Sequence, residues 1–527
     1  METSWSEFSG KCKSRLSALA RGLFISREQW HQKCDELASQ VDELKDELQS
    51  QSAEFGKQNG VIAAQALRIQ ELEAKLAAAQ AEQPPVRLPH DPIVFQHQYG
   101  SRMISLCVNL AAKVGLRATE RVLKIMFDWL GIPGDIPTWQ SIRGWMQRAG
   151  LASMTGEPEV KEDLCWLVDH SVQIGQEKAF AVLGIPVSKL PPRGQALKHE
   201  DLSLLTIQPG TSWKAENVGD VYRELEKRFG TPRAILADGA TELHDGAKSL
   251  TNRGQRTILT RDLKHYLANQ FEAAIGKSPR FSEFLKQVTS TRAAVQQTEL
   301  SHLGPPALKP KARFMNMADL LKWARMARWQ LDQPTSKARK GVADERLEAK
   351  FGWLRQFDSE LTSWCEYQQV ISCGVTFASE NGIFRGAAKE FRELTRDYTQ
   401  HKSSRELIQR TCTFMKTFED QLKPHERLPM STEILESSFG LYKQLEGQHS
   451  KGGFTQLLVA FGALLKPTTP ESIRADFSRV KVKDIKDWCK EKLATTMTSK
   501  RQSAYQEFRA HQKPKSQKRA TRTPILT

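Results

Sequence analysis

Between residues 163 and 261 the hydrophobic pattern leaves the helical period for short apolar runs, and that change constrains the fold more than any other feature. LCWLVDH, KAFAVLGIPV and LSLLTIQPG follow one another at the tight spacing of an antiparallel meander. A helix over about residues 216–229 comes next, then the strand RAILAD, a helix over about 242–250 and the strand RTILT. The predicted order is β-β-β-α-β-α-β. After Asp262 the pattern is helical to about residue 430, where the helices STEILESSFGLYKQLE and GFTQLLVAFGALL follow. An α/β domain is therefore expected to start within 160–275. A large all-α insertion at 276–430 interrupts it, and helices at 431–466 close it. A C-terminal helical region (467–510) and a basic, disordered tail (511–527) complete the chain.

Upstream, residues 1–29 read as a helical segment and 30–82 as a coiled coil. Steps of seven from Val41 meet Leu48, Phe55, Ile62, Ile69 and Leu76 without a break. The companion positions Gln51, Gln58 and Gln65, with Gly56 and Gly60, soften the middle. Two shorter coils fit better than one rod. Such a coil implies a homodimer or higher oligomer, or else a helix packed on its own domain. A proline-rich linker (83–94) leads to a compact helical stretch at 95–151, whose last helix opens at Thr138 with TWQSIRGWMQRAGL. This is a helix-turn-helix arrangement. Ile142 and Trp145 share one face, while Gln140, Arg143, Gln147 and Arg148 are expected to remain free to touch DNA.

The formal charge of +16 points to a polyanionic partner, because neutralising phosphates releases counterions. Eight cysteines without a C-x-x-C pair argue against a zinc site or a disulfide framework. Neither a secretory signal nor a membrane span is expected. A reducing compartment follows, cytoplasmic and nucleoid-associated for a DNA-bound protein.

Phosphodiester chemistry needs an activated attacking oxygen and a stabilised leaving oxygen. Two divalent ions about 3.5–4 Å apart supply both, and Mg²⁺ (or Mn²⁺) favours carboxylate ligands. Asp169 ends the apolar strand LCWLV, where a buried charge is costly without a cation. Asp238 ends RAILA in the same way. Each is also an ordinary strand-end turn residue if taken alone. A third acid is expected from the helix STEILESSFGLYKQLE, where Glu433 and Glu436 share a face. Glu436 is favoured, because Lys443 follows two helical turns along and can hold a DNA phosphate. His449 and Lys451, just beyond, are further candidate phosphate contacts.

The strand WLVD, the strand ILADG and the helix ESSFGLYK, with its E-x6-K spacing, resemble the three motifs of bacterial insertion-sequence transposases of the DDE type. Asp169 and Asp238 are 69 residues apart, and Glu436 follows 198 later, as in members that carry an insertion domain. In TRDLKHYLANQ, Asp262 and His265 occupy the places of an accessory Asp and His. The resemblance covers roughly 100–465. The usual Tyr and Arg companions before the glutamate are absent, which leaves Glu433 open beside Glu436. The likeness implies an RNase H-like catalytic domain with a mixed five-stranded sheet whose first and fourth strands adjoin. It also implies two Mg²⁺ ions on Asp169, Asp238 and Glu436, acting on double-stranded DNA at transposon ends and at a target.

Within the insertion, Lys309, Lys311, Arg313, Lys322, Arg325 and Arg328 interleave with Phe314, Trp323 and Trp329. The charges suit a DNA backbone; the tryptophans suit a helix core. A catalytically silent, transposase-derived DNA-binding protein and an RNase H-like nuclease are the competing functions. A coiled-coil scaffold leaves the α/β domain unexplained.

Overall fold

The computed structural model describes residues 30, 32–43, 45, 67–75, 91, 93–94, 97–156, 163–250, 257–308, 317–333, 344–447 and 453–512. The segment 1–29, much of the coil and linker, His449, Lys451, the run from Lys309 to Phe314 and the tail beyond 512 lie outside them. The chain divides into two compact units, one of Met1–Met146 with Thr468–Arg479, the other of Gln147–Pro467 with Val480–Thr527.

In the first unit, residues 32–43 and 67–75 are helical, and Lys45 lies 3.4 Å from Glu73. Val41 and Ile69, both in the seven-residue series, are buried within this one chain.

Helix α1 (Ser101–Val114) is capped by Asp91, whose carboxylate accepts the Arg102 and Met103 N–H groups at 2.7 and 2.8 Å. Helix α2 (Leu116–Leu130) follows after a single residue, Gly115, at φ 87°. Helix α3 (Trp139–Thr155) contributes Trp139–Met146 to this unit, and Thr138 caps it weakly, 3.4 Å from the Ser141 N–H. Trp145 packs edge-on against Tyr99, their ring centres 5.4 Å apart. The three expected helices are present, with a fourth against them. Asn109 donates to the Thr468 carbonyl at 2.8 Å, and Arg474 donates to Ser101 at 2.8 Å. These bonds fasten the later helix 470–479 onto α1.

The second unit holds the sheet. Strands β1 (Leu164–Ile174), β2 (Glu177–Pro186) and β3 (Ser203–Gly210) form the meander, while β4 (Ala234–Ala237) and β5 (Ile258–Arg261) run parallel to β1. Their order is β3-β2-β1-β4-β5, so the first and fourth strands adjoin as expected. Helix α4 (Ala215–Phe229) lays Val218, Val221, Tyr222, Leu225 and Phe229 at helical spacing onto Trp166, Val168, Ile235 and Ala237. Helix α5 (Thr241–Gly246) covers the same face through Leu243.

Beyond β5 the chain is helical: α6 (Leu263–Phe271), α7 (Pro279–Val295), α8 (Met317–Asp332), α9 (Asp344–Phe351), α10 (Asp358–Glu380), α11 (Ala387–Leu394) and α12 (Lys402–Glu419). Two short strands, β6 (Ile383–Phe384) and β7 (Arg427–Leu428), pair within this stretch before α13 (Glu433–Glu446). These helices share one compact unit with the sheet. After a 3₁₀ segment (Gln456–Leu464), α14 (Pro470–Arg479) joins the first unit, while α15 (Val482–Lys492) and α16 (Met497–Gln512) join the second. The expected single C-terminal region is therefore divided.

Gln147 and Arg148, on the second-unit half of α3, correct the sequence reading. Both are buried; Gln147 donates to the Gln456 carbonyl at 2.9 Å and Arg148 to that of Val480. They satisfy backbone acceptors and are not free for DNA. Nearby Gly150 meets the 3₁₀ segment so closely that an added Cβ would stand 2.2 Å from the Val459 oxygen. That obstacle is backbone. Gly150→Ala is expected to cost roughly 1–3 kcal/mol, read as a lowered thermal midpoint.

Candidate active site

Register and alternation build the site. Val168 pairs with Ala237 and Ala237 with Arg261, so the next residues across three parallel strands are Asp169, Asp238 and Asp262. Trp166, Val168, Ile235 and Ala237 face the α4 core. Strand alternation therefore assigns Asp169, within β1, to the other face from that core, and α13, which carries Glu433 and Glu436, packs on β1. Asp169 does not end its strand as expected, because β1 runs on to Ile174. It lies within β1 beside Asp238 and Asp262, each one residue past the end of its strand.

Their surroundings differ. Asp169 is buried. Asp238, half-buried, accepts the Ala240 N–H at 2.9 Å, and Gly239 makes room for that turn at φ 100°. Burial, and then the Asp238 charge, pushes the Tyr222 hydroxyl far above its usual range. Asp262 is fully enclosed and structural in its contacts. It caps α6 by accepting the His265 N–H at 2.8 Å, and its other oxygen accepts both the N–H and the hydroxyl of Thr432, the latter at 2.6 Å. One carboxylate thereby joins the start of α6 to the start of α13.

From α6, two cations meet the third acid. Lys264 donates to Glu436 at 2.9 Å and lies 3.6 Å from Glu433. Burial opposes its charge, but the bond to Glu436, with Glu433 and Asp262 nearby, holds the ammonium above the ordinary lysine range. His265 stands 3.4 Å from Asp262 and 3.7 Å from Glu436. Its close pairing with Asp262, against burial and helped by the charges of Glu436 and Asp238, pushes its pKa up to about 9. His265 is therefore charged at neutral pH. The stability this pair adds is complete below the unfolded value of about 6.5 and is lost as pH rises through 9. NMR of the ring should show a titration near 9 that falls toward 6.5 in Asp262→Asn.

A second link joins β1 to α5. His170, beside Asp169, meets Glu242, four residues after Asp238, at 2.6 Å. Lys264, His170 and Glu242 escaped the sequence reading; the signal available was their adjacency to Asp262, Asp169 and Asp238.

The donor chemistry suits a hard divalent cation, being wholly carboxylate. The arrangement does not converge on one. Among the described residues no group of three or more His, Cys, Asp and Glu side chains is placed to hold a metal ion, and Glu436 faces Lys264 and His265 instead.

Of the expected DNA contacts, Lys443 is exposed on α13 and Arg325 is exposed on α8. Arg143 is half-buried. Arg328 is committed elsewhere, bonding both oxygens of Asp358 at 2.7 and 2.8 Å and pairing with Asp332. Trp323 lies in the core and donates to the Leu303 carbonyl at 2.7 Å, whereas Trp329 is exposed. Among the described residues, no helix is long and apolar enough to cross a membrane.

Compared with known proteins, the chain matches no family model and no curated sequence. One solved structure similar to it is the Drosophila P element transposase strand transfer complex, with 12% identity over 79% of this chain and 98% of that one. The TM-score is 0.29, too low to bear on fold or function.

Proposed function

We propose that the chain is a DNA transposase of the DDE type, with an RNase H-like catalytic domain, that cleaves strands at transposon ends and joins them to target DNA. The observation that carries this reading is the row of Asp169, Asp238 and Asp262 at neighbouring positions across three adjacent parallel strands, with the helix of Glu433 and Glu436 packed on the first of them. The strand order β3-β2-β1-β4-β5 and the helical stretch before α13 support it, as does the charge of +16.

In this reading Asp169, Asp238 and Glu436 would hold two Mg²⁺ ions, with Mn²⁺ able to replace them. When bound, the metals supply activation of the attacking oxygen and stabilisation of the leaving one. The chain's own part is positioning. The sheet fixes Asp169 and Asp238 side by side, and Asp262 fastens α13 over them. Lys443, exposed on α13, would take a backbone phosphate. Water first breaks a P–O bond to free a 3′-hydroxyl; that hydroxyl then forms a new P–O bond in target DNA and releases the strand it replaces. Arg325 and Arg143 are proposed as outlying phosphate contacts.

The test supplies the full chain with duplexes from either side of its coding region, Mg²⁺ and a target plasmid. Nicking at a defined end with joining to the plasmid is expected. Cleavage without joining would favour an RNase H-like nuclease, and binding without either would favour a silent DNA-binding protein.

A further inference from the structure

Helix α2 keeps a face largely uncovered by its own unit. Of its 15 residues only Leu116, Thr119 and Leu123 are buried. A second row, Ala118, Val122, Ile125, Met126 and Trp129, recurs at three- and four-residue steps on another side of the helix. Ile125 is 63% exposed and Trp129 48%, while the other three are half-buried. Apolar surface held in water forgoes the burial that would stabilise it, so a stripe of this kind marks a place where something docks.

The flank of the stripe says what fits. Arg121 and Asp128 are seven residues, or two turns, apart, and each precedes a stripe residue, so they line the same side. Both are exposed, and among the described residues neither makes an ion pair within its own chain. Laid antiparallel on a copy of itself, α2 sets Arg121 against the partner's Asp128, and Asp128 against the partner's Arg121. The midpoint of that pair falls between Lys124 and Ile125. The midpoint of the stripe, taken from Ala118 and Trp129, falls one residue earlier. One twofold axis therefore serves the apolar contact and both ion pairs.

We propose that the apolar stripe of α2 is a homotypic docking surface, on which a second copy of this chain lays its own α2 antiparallel across a twofold axis. The proposal stands independently of the transposase reading. A single helix face covers less than the roughly 800 Å² per partner of a standard interface, so a dissociation constant of about 1 μM is expected.

The test is sedimentation velocity of the full chain from nanomolar to tens of micromolar, with folding checked by circular dichroism. Ile125→Glu puts a charge in the middle of the stripe, at a side chain already exposed, and is expected to weaken association at least about tenfold. Arg121→Glu and Asp128→Arg each turn two attractive pairs into repulsive ones and are expected to weaken it several-fold. The double variant exchanges the charges and should return close to the wild-type value, a rescue that only reciprocal pairing across the interface gives. Should Ile125→Glu fail to fold, the charge-exchange set decides alone. A wild-type chain that stays monomeric overturns the proposal, as does a folded Ile125→Glu that associates like wild type, or a double variant no better than the single ones. Variants that lose duplex DNA binding while association is unchanged overturn it too, and make the stripe part of a nucleic-acid surface.

Discussion

The variants Asp169→Asn and Asp238→Asn are each expected to lose strand cleavage by at least about a thousandfold while still binding DNA. The size follows from what each carboxylate does. An Asn keeps the shape and one acceptor oxygen but removes the charge that a divalent cation requires, and several kcal/mol of transition-state stabilisation leave with it. The two should behave alike, because neighbouring strands carry them side by side at the end of a paired row. Binding should survive, since most affinity for DNA comes from phosphate neutralisation by basic residues elsewhere. Folding should survive as well for Asp238, which is half-buried and accepts one backbone N–H that an amide oxygen also accepts. The measurements are single-turnover cleavage of an end-labelled duplex and a parallel binding isotherm. Cleavage that persists in both variants would place the chemistry away from the sheet edge.

The pairing of the first and fourth strands was legible because both are short apolar runs of the kind a buried parallel pair requires. In both LCWLVD and RAILAD an apolar run is followed by a carboxylate, and the register sets Asp169 beside Asp238. But β1 runs on past Asp169 to Ile174, which the apolar run alone did not indicate. Other features were not legible, each for a definite reason. Gln147 and Arg148 read as solvent-facing because helical period ranks residues by polarity, yet a polar side chain can turn inward to satisfy a distant carbonyl. Helix α14 completes the first unit through the bond from Arg474 to Ser101, 373 residues away, beyond any local pattern. Arg328 looked like a phosphate contact because its partners, Asp332 and Asp358, lie on the turn of its own helix and on another helix. Lys264 was hidden by the ordinary expectation that lysines face water. Asp262 was noted for its spacing, but its work is structural: from the sequence alone, a helix cap and a clamp on a residue 170 positions away are indistinguishable from an accessory acid.

Asp262→Asn is the second large effect, expected to lower stability by roughly 3–5 kcal/mol, the usual range for breaking a buried charged network on one side. The wild-type carboxylate has no solvent contact and accepts three hydrogen bonds, one from the His265 N–H and two from Thr432. An amide replaces one acceptor oxygen with a donor, so in either orientation an N–H₂ group faces another donor. Burial works against the Asp262 charge, but His265 and Thr432 overcome it and hold the carboxyl below its usual range. A lowered folded pKa contributes stability that is present above the unfolded value of about 3.9 and lost as pH falls through the folded value. The gap between wild type and Asp262→Asn should therefore be full at neutral pH and narrow in acid. Thr432→Val, which removes only the hydroxyl bond, should cost about 1 kcal/mol. Activity should fall further than stability explains, because α13 loses the anchor that sets Glu436 over the sheet. A shift of about 1 Å is enough to cost about a hundredfold in rate. Denaturant unfolding across pH, with cleavage measured where the variant is still folded, separates the two losses. An Asp262→Asn chain as stable as wild type would mean that α13 is held over the sheet by its apolar packing, with Asp262 a bystander.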